Sequence, residues 1–134
     1  MRSRIPVKSF LPGIAWFFLV TTLCCLPGED LPETQDWLGK IYFDKWVHFG
    51  LFFILAFLLM LPVWRSRLTR KKKVIACIAL GIILYGLLIE LVQHYLVPGR
   101  SFDLFDWAAD SAGVAPAWFW ANRKIRKANP VSGI

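Results

Sequence analysis

Three consecutive stretches decide the fold: Trp46–Trp64 (WVHFGLFFILAFLLMLPVW), Arg65–Lys73 (RSRLTRKKK) and Val74–Val97 (VIACIALGIILYGLLIELVQHYLV). Crossing a hydrocarbon core of ~30 Å takes roughly 20 helical residues. The two apolar stretches meet that length, and six basic residues stand between them. Working outward, Ser9–Leu26 forms a shorter apolar run. Leu104–Ala121 forms a fourth, opened by acidic residues that only protein neighbours or water tolerate. At 134 residues, 57% apolar and 16% aromatic, the chain is too apolar for an ordinary small soluble domain. The runs are continuous rather than alternating, which argues against a β-barrel. The expectation is one all-α domain over residues 1–134, an integral membrane bundle of four transmembrane helices at about 9–26, 46–64, 74–97 and 104–121.

The net charge of +7 invites a nucleic-acid reading, but the distribution of the charge argues against one. Arg2, Arg4 and Lys8 precede the first span. Arg65, Arg67, Arg70 and Lys71–Lys73 separate the second from the third. Arg123, Lys124, Arg126 and Lys127 follow the fourth. If four spans alternate, all of these share one side, and the other receives only Lys40, Lys45 and Arg100. The positive-inside rule then makes both termini cytoplasmic. The basic run is read as a topology signal, and no nucleic-acid partner is expected. The first span has the basic start and apolar middle of a signal peptide, but no small-x-small cleavage site follows it, so it is read as retained. Cys24 and Cys25 fall near one end of their span and Cys77 near the opposite face, beyond disulfide reach.

Within this apolar frame the polar residues gather at three span ends. Asp44, Lys45 and His48 open the second span, with Asp44 and His48 about 40° apart on the helix. Glu90, Gln93 and His94 close the third, and Gly86 continues that stripe inward. Arg100 sits on the Pro98-Gly99 turn, and Asp103, Asp106 and Asp110 open the fourth at i, i+3 and i+7. Alternating spans put all of them at the extracytoplasmic helix ends. Lipid does not solvate such stripes, so they face one another or a wet cleft. Structural explanations stand beside each: Asp103 as a helix cap, Lys45 as a snorkelling lysine, His94 as a solvated residue. Glu90 and Asp110 lie one to two turns inside their spans and resist such readings. Lys45 and Arg100 are the counter-charges for five acids, so the set requires a protonated carboxyl, a charged His48, or a cationic visitor. Gly81 and Gly86 are expected to let the third helix pack closely, and Pro12-Gly13 to kink the first. Pro32–Ile41 is read as a short surface helix, with Trp37, Leu38 and Ile41 at the interface.

The motifs Asp44-Lys45-x-x-His48-Phe49, Glu90-x-x-Gln93 and Pro98-Gly99-Arg100-Ser101-Phe102-Asp103-x-x-Asp106 resemble, in order and spacing, the signature of the VanZ-like family of small bacterial membrane proteins. The resemblance covers about Asp44 to Gly113. It implies four membrane helices in the bacterial cytoplasmic membrane and, through the founding member, a link to low-level resistance to glycopeptide antibiotics such as teicoplanin. It implies no settled reaction. Two positions depart from the family pattern: Asp110 stands where Asn is usual, and Ala115-Pro116 where a glycine is common.

Three functions follow from these residues. The leading expectation is a non-catalytic cell-envelope binding or accessory protein. Its cleft, made of Asp44, Lys45, His48, Glu90, Gln93, Arg100, Asp103, Asp106 and Asp110, engages a lipid, glycan or peptidoglycan-precursor head group, with Arg100 and Lys45 pairing with phosphate or carboxylate. The alternative is a membrane hydrolase or transferase acting on an envelope lipid. There His48 or Glu90 serves as general base or acid, Asp106 or Asp44 orients the imidazole, and a metal version recruits His48, Glu90, Asp106 and His94. No compact metal motif is present, so no metal and no cofactor is assigned. The third is an ion-pair cluster that only registers the helices. Oligomeric state is not legible in the sequence.

Overall fold

The computed structural model describes residues 4–27 and 37–128, and the side chains of residues 37–42 lie outside what it describes. Its helices are α1 (Leu11–Cys24), α2 (Trp37–Arg65), α3 (Lys71–Leu96) and α4 (Leu104–Ala128), and a 3-10 turn at Val7–Phe10 leads into α1. No strand occurs among the described residues. Val7–Cys24, Phe43–Arg65 and Lys71–Leu96 are long and apolar enough to cross a membrane. The fourth helix falls short of that measure: Asp106 and Asp110 near its start, and Ser, Gly, Pro and Trp along its length, dilute its apolar character.

Each helix buries one stripe at the spacing expected of a 3.6-residue turn. On α3 the stripe is Ile75, Ala79, Ile82, Gly86, Ile89, Glu90 and Gln93, apolar over most of its length and polar at its last turn. On α4 it is Asp106, Asp110, Gly113, Val114, Ala117, Ala121 and Ile125, polar at its first turns. On α2 it runs from His48 through Phe52, Leu55, Ala56 and Met60 to Val63. The opposite face of α3 exposes Leu80, Leu84, Leu88 and Leu91 as a continuous apolar ridge, which suits acyl chains and not water.

The most extensive helix pairing is α2 with α4, and Gly113 is what allows it. A Cβ at Gly113 would fall on the Phe49 carbonyl oxygen and 3.0 Å from the Phe53 amide nitrogen, so the two backbones touch there. On α3, Gly86 meets neighbouring side chains rather than backbone, and Gly81 meets nothing. A Cβ at Gly86 would sit 3.1 Å from Asp110 Oδ2 and 3.2 Å from Phe52, whereas Gly81 has nothing within 4 Å. Two indoles cross-link helices through main-chain carbonyls: Trp16 Nε1 donates to Leu51 O at 3.0 Å and Trp107 Nε1 to Ile83 O at 2.9 Å.

Some local expectations are revised. Residues 37–41 are the first turns of α2 rather than a separate surface helix, and residues 32–36 lie outside the described residues. Pro12 falls in the first turn of α1, where its missing N–H has no intrahelical partner to lose, so it starts the helix rather than kinking it. Gly13 is instead a contact point, buried against Leu59. Pro116 and Pro62 both lie inside continuous helices.

Candidate functional site

The turn after α3 sets the site's geometry. Gly99 takes a left-handed φ of 72°, which a residue with a Cβ rarely adopts, and Arg100 N then donates to Val97 O at 3.3 Å. The chain re-enters the bundle at Asp103, whose amide donates to Glu90 Oε2 on α3 at 3.0 Å. Asp103 Oδ1 accepts the Phe105 amide at 2.8 Å, so Asp103 does cap α4.

Asp103 also carries a second contact. Lys45 on α2 donates to Asp103 Oδ2 at 3.0 Å and to Asp106 Oδ1 at 2.7 Å, so this lysine turns inward onto α4 instead of snorkelling away. Partial burial pushes the Asp103 carboxyl up, but the Lys45 ammonium and the Phe105 amide outweigh it and hold the carboxyl below the usual carboxylate range. Deeper in, His48 Nδ1 lies 2.9 Å from Asp110 Oδ1, both residues being buried. Asp44 is a looser neighbour, 3.9 Å from His48 Nε2. The residue that orients the imidazole is therefore Asp110, not Asp106 or Asp44. Asp106 is taken by Lys45, and at 3.9 Å Asp44 is beyond hydrogen-bond reach.

Glu90 and Gln93 are fully enclosed. Gln93 Nε2 donates to the Cys24 carbonyl at 2.7 Å, tying α3 to the last turn of α1. The cluster is not closed on itself. Glu90 Oε1, Asp110 Oδ2 and Arg100 Nε are buried without a hydrogen-bond partner among the described residues, and within that set Arg100 forms no ion pair. Of the two expected counter-charges, only Lys45 serves. His94 is exposed and stacks edge-on with Tyr95, so it joins none of these contacts. His48, Glu90 and Asp110 each offer a ligand atom within 4.8 Å of the others, as do Asp44, His48 and Asp106. Sequence reading missed Trp16 and Trp107 as interhelical donors, and Cys24 as the carbonyl partner of Gln93.

Helices fit for a membrane, with a buried mixed-charge cluster joining α2, α3 and α4, define a small helical membrane protein. A family model described as VanZ/LLP1 matches residues 9–123, and the chain belongs to this VanZ-like family. No curated protein matches the chain, and no solved structure does.

Proposed function

We propose that this protein is a non-catalytic accessory protein of the bacterial inner membrane. It crosses four times, keeps both termini in the cytoplasm, and binds the polar head group of a cell-envelope component at its extracytoplasmic end. The observation that supports this is the set of buried atoms left unpaired among the described residues: two carboxylate oxygens, Glu90 Oε1 and Asp110 Oδ2, and one guanidinium nitrogen, Arg100 Nε. Leaving such groups buried and unmatched costs about 1–3 kcal/mol each, more when charged. A head group that offers a hydroxyl, amide or ammonium to the carboxylates and a phosphate or carboxylate to Arg100 satisfies all three. Lipid, glycan and peptidoglycan-precursor head groups have that chemistry, and holding a precursor is a route by which such a protein alters glycopeptide susceptibility.

The test is native mass spectrometry of the protein released from membranes in mild detergent, followed by titration with purified envelope phospholipid and lipid-linked precursor. Glu90→Gln and Arg100→Ala should each weaken the bound species at least tenfold while the proteins stay folded. Wild-type affinity in both variants would remove these residues from recognition and end the proposal.

A second reading, a membrane hydrolase or transferase, is favoured by one observation, the 2.9 Å contact between His48 Nδ1 and Asp110 Oδ1. An imidazole oriented by a buried carboxylate is the usual form of a general base. In this reading Glu90 is the partner acid and Arg100 stabilises developing anionic charge. Multiple turnover of an envelope lipid, abolished by His48→Ala, would separate it from simple binding.

A further inference from the structure

We propose that His48, Glu90 and Asp110 form a binding site for a single divalent metal ion of the manganese or zinc class. It claims the two carboxylate oxygens that the head-group reading gives to a hydroxyl or ammonium, and loading with metal salt alone, without lipid, separates the two readings. The three residues come from three different helices, are all buried, and present ligand atoms within 4.8 Å of one another.

The state of the individual oxygens carries the argument. Each carboxylate has one oxygen held and one free. Glu90 Oε2 accepts the Asp103 amide at 3.0 Å, and Oε1 has no partner among the described residues. Asp110 Oδ1 engages His48 at 2.9 Å, and Oδ2 likewise has none there. Held oxygens fix the orientation of the side chains, and free oxygens are what an ion requires. Gly86 keeps that space open, since a Cβ there would crowd Asp110 Oδ2 at 3.1 Å. With Nδ1 held by Asp110 Oδ1, Nε2 is the nitrogen left for the ion, and Asp44, 3.9 Å from it, is too far to hold it by a hydrogen bond.

The neighbouring trio of Asp44, His48 and Asp106 is the weaker candidate, because the Lys45 ammonium already occupies Asp106 Oδ1 at 2.7 Å. No lysine reaches Glu90 or Asp110 among the described residues. Two buried carboxylates without an ammonium are balanced by protons or by a cation. One imidazole with two carboxylates is a mixed nitrogen and oxygen set, which suits manganese or zinc better than calcium or a thiolate-seeking ion.

The test uses the full chain in detergent, stripped with chelator, loaded with manganese or zinc chloride and desalted. Elemental analysis should find about one ion per chain. Competition against a chromogenic chelator should show affinity falling at least tenfold in Glu90→Gln and Asp110→Asn, both nearly isosteric, and unchanged in His94→Ala, which removes an exposed histidine. No ion on the wild type, or wild-type affinity in both site variants, overturns the proposal. X-ray absorption of the zinc-loaded wild type decides the matter without any variant. A shell of nitrogen and oxygen at about 2.0–2.2 Å supports the site, and sulfur at about 2.3 Å would assign the ion to Cys24 or Cys25 instead.

Discussion

Replacing Lys45 with Met keeps the length of the side chain and deletes its charge, and the structure divides the consequence unequally between two aspartates. Lys45 Nζ lies 3.0 Å from Asp103 Oδ2 and 2.7 Å from Asp106 Oδ1, and those side chains are 39% and 7% exposed. Asp103 is re-solvated when the ammonium leaves, so its share is that of a surface pair, about 0–1 kcal/mol. Asp106 is not. It loses a charge-assisted hydrogen bond worth about 1.5–3 kcal/mol and stays a stranded carboxylate, which takes the loss toward the roughly 3–5 kcal/mol of a broken buried pair. Lys45→Met should therefore cost about 3 kcal/mol, and Asp103→Asn no more than about 1 kcal/mol. Adding Asp106→Asn to Lys45→Met removes the stranded charge and should restore at least about 1 kcal/mol. Reversible unfolding in mixed detergent micelles, followed by circular dichroism, measures all four proteins. If Lys45→Met costs no more than Asp103→Asn, or the second substitution restores nothing, the inward lysine is not what holds α2 to α4.

Gly113→Ala should lower stability by about 3 kcal/mol, at the upper end of overpacking, because the new methyl meets the backbone of Phe49 and Phe53 rather than a side chain that can turn away. Gly50→Ala, with nothing within 4 Å of the new methyl, should be neutral or stabilising by about 0.5–1 kcal/mol through helix propensity, and parallel thermal melts compare the two. Gln93→Leu should cost about 1–2 kcal/mol by leaving the Cys24 carbonyl without its 2.7 Å donor, and increased protease access at the end of α1 reports it. The depressed Asp103 carboxyl gives an acid limb. Its contribution is present above the ordinary Asp value of about 3.9 and is lost as pH falls through the lower folded value, so melting temperature drops there and Asp103→Asn flattens the drop.

The long helices were legible because α2 and α3 are apolar over a full membrane thickness and the Arg65–Lys73 run separates them without ambiguity. Helical periodicity also marked Glu90, Gln93, Asp106 and Asp110 as residues facing inward on their own helices. Partner choice was out of reach. Whether His48 meets Asp106 or Asp110 depends on the depth at which α4 slides along α2, and that is set by Gly113 against Phe49, a contact no spacing rule expresses. For the same reason Gly81 and Gly86 were both expected to pack closely, though only Gly86, the one on the polar stripe, meets a neighbour. Arg100 looked like a counter-charge because it is basic and near in sequence, but where a long side chain ends on a turn is decided by tertiary packing. The trio of His48, Glu90 and Asp110 escaped any motif search because its members come from three helices.

What occupies the space beside Glu90 Oε1 and Asp110 Oδ2 tests the account most directly, and a crystal structure of the protein grown in a lipid phase would show it. The account predicts a non-protein ligand or ion within bonding distance of both oxygens, at the end of the bundle opposite Arg65–Lys73. Oxygens bonded only to protein groups, such as an Arg100 guanidinium folded in between them, or a Glu90 side chain turned out among acyl chains, would contradict it.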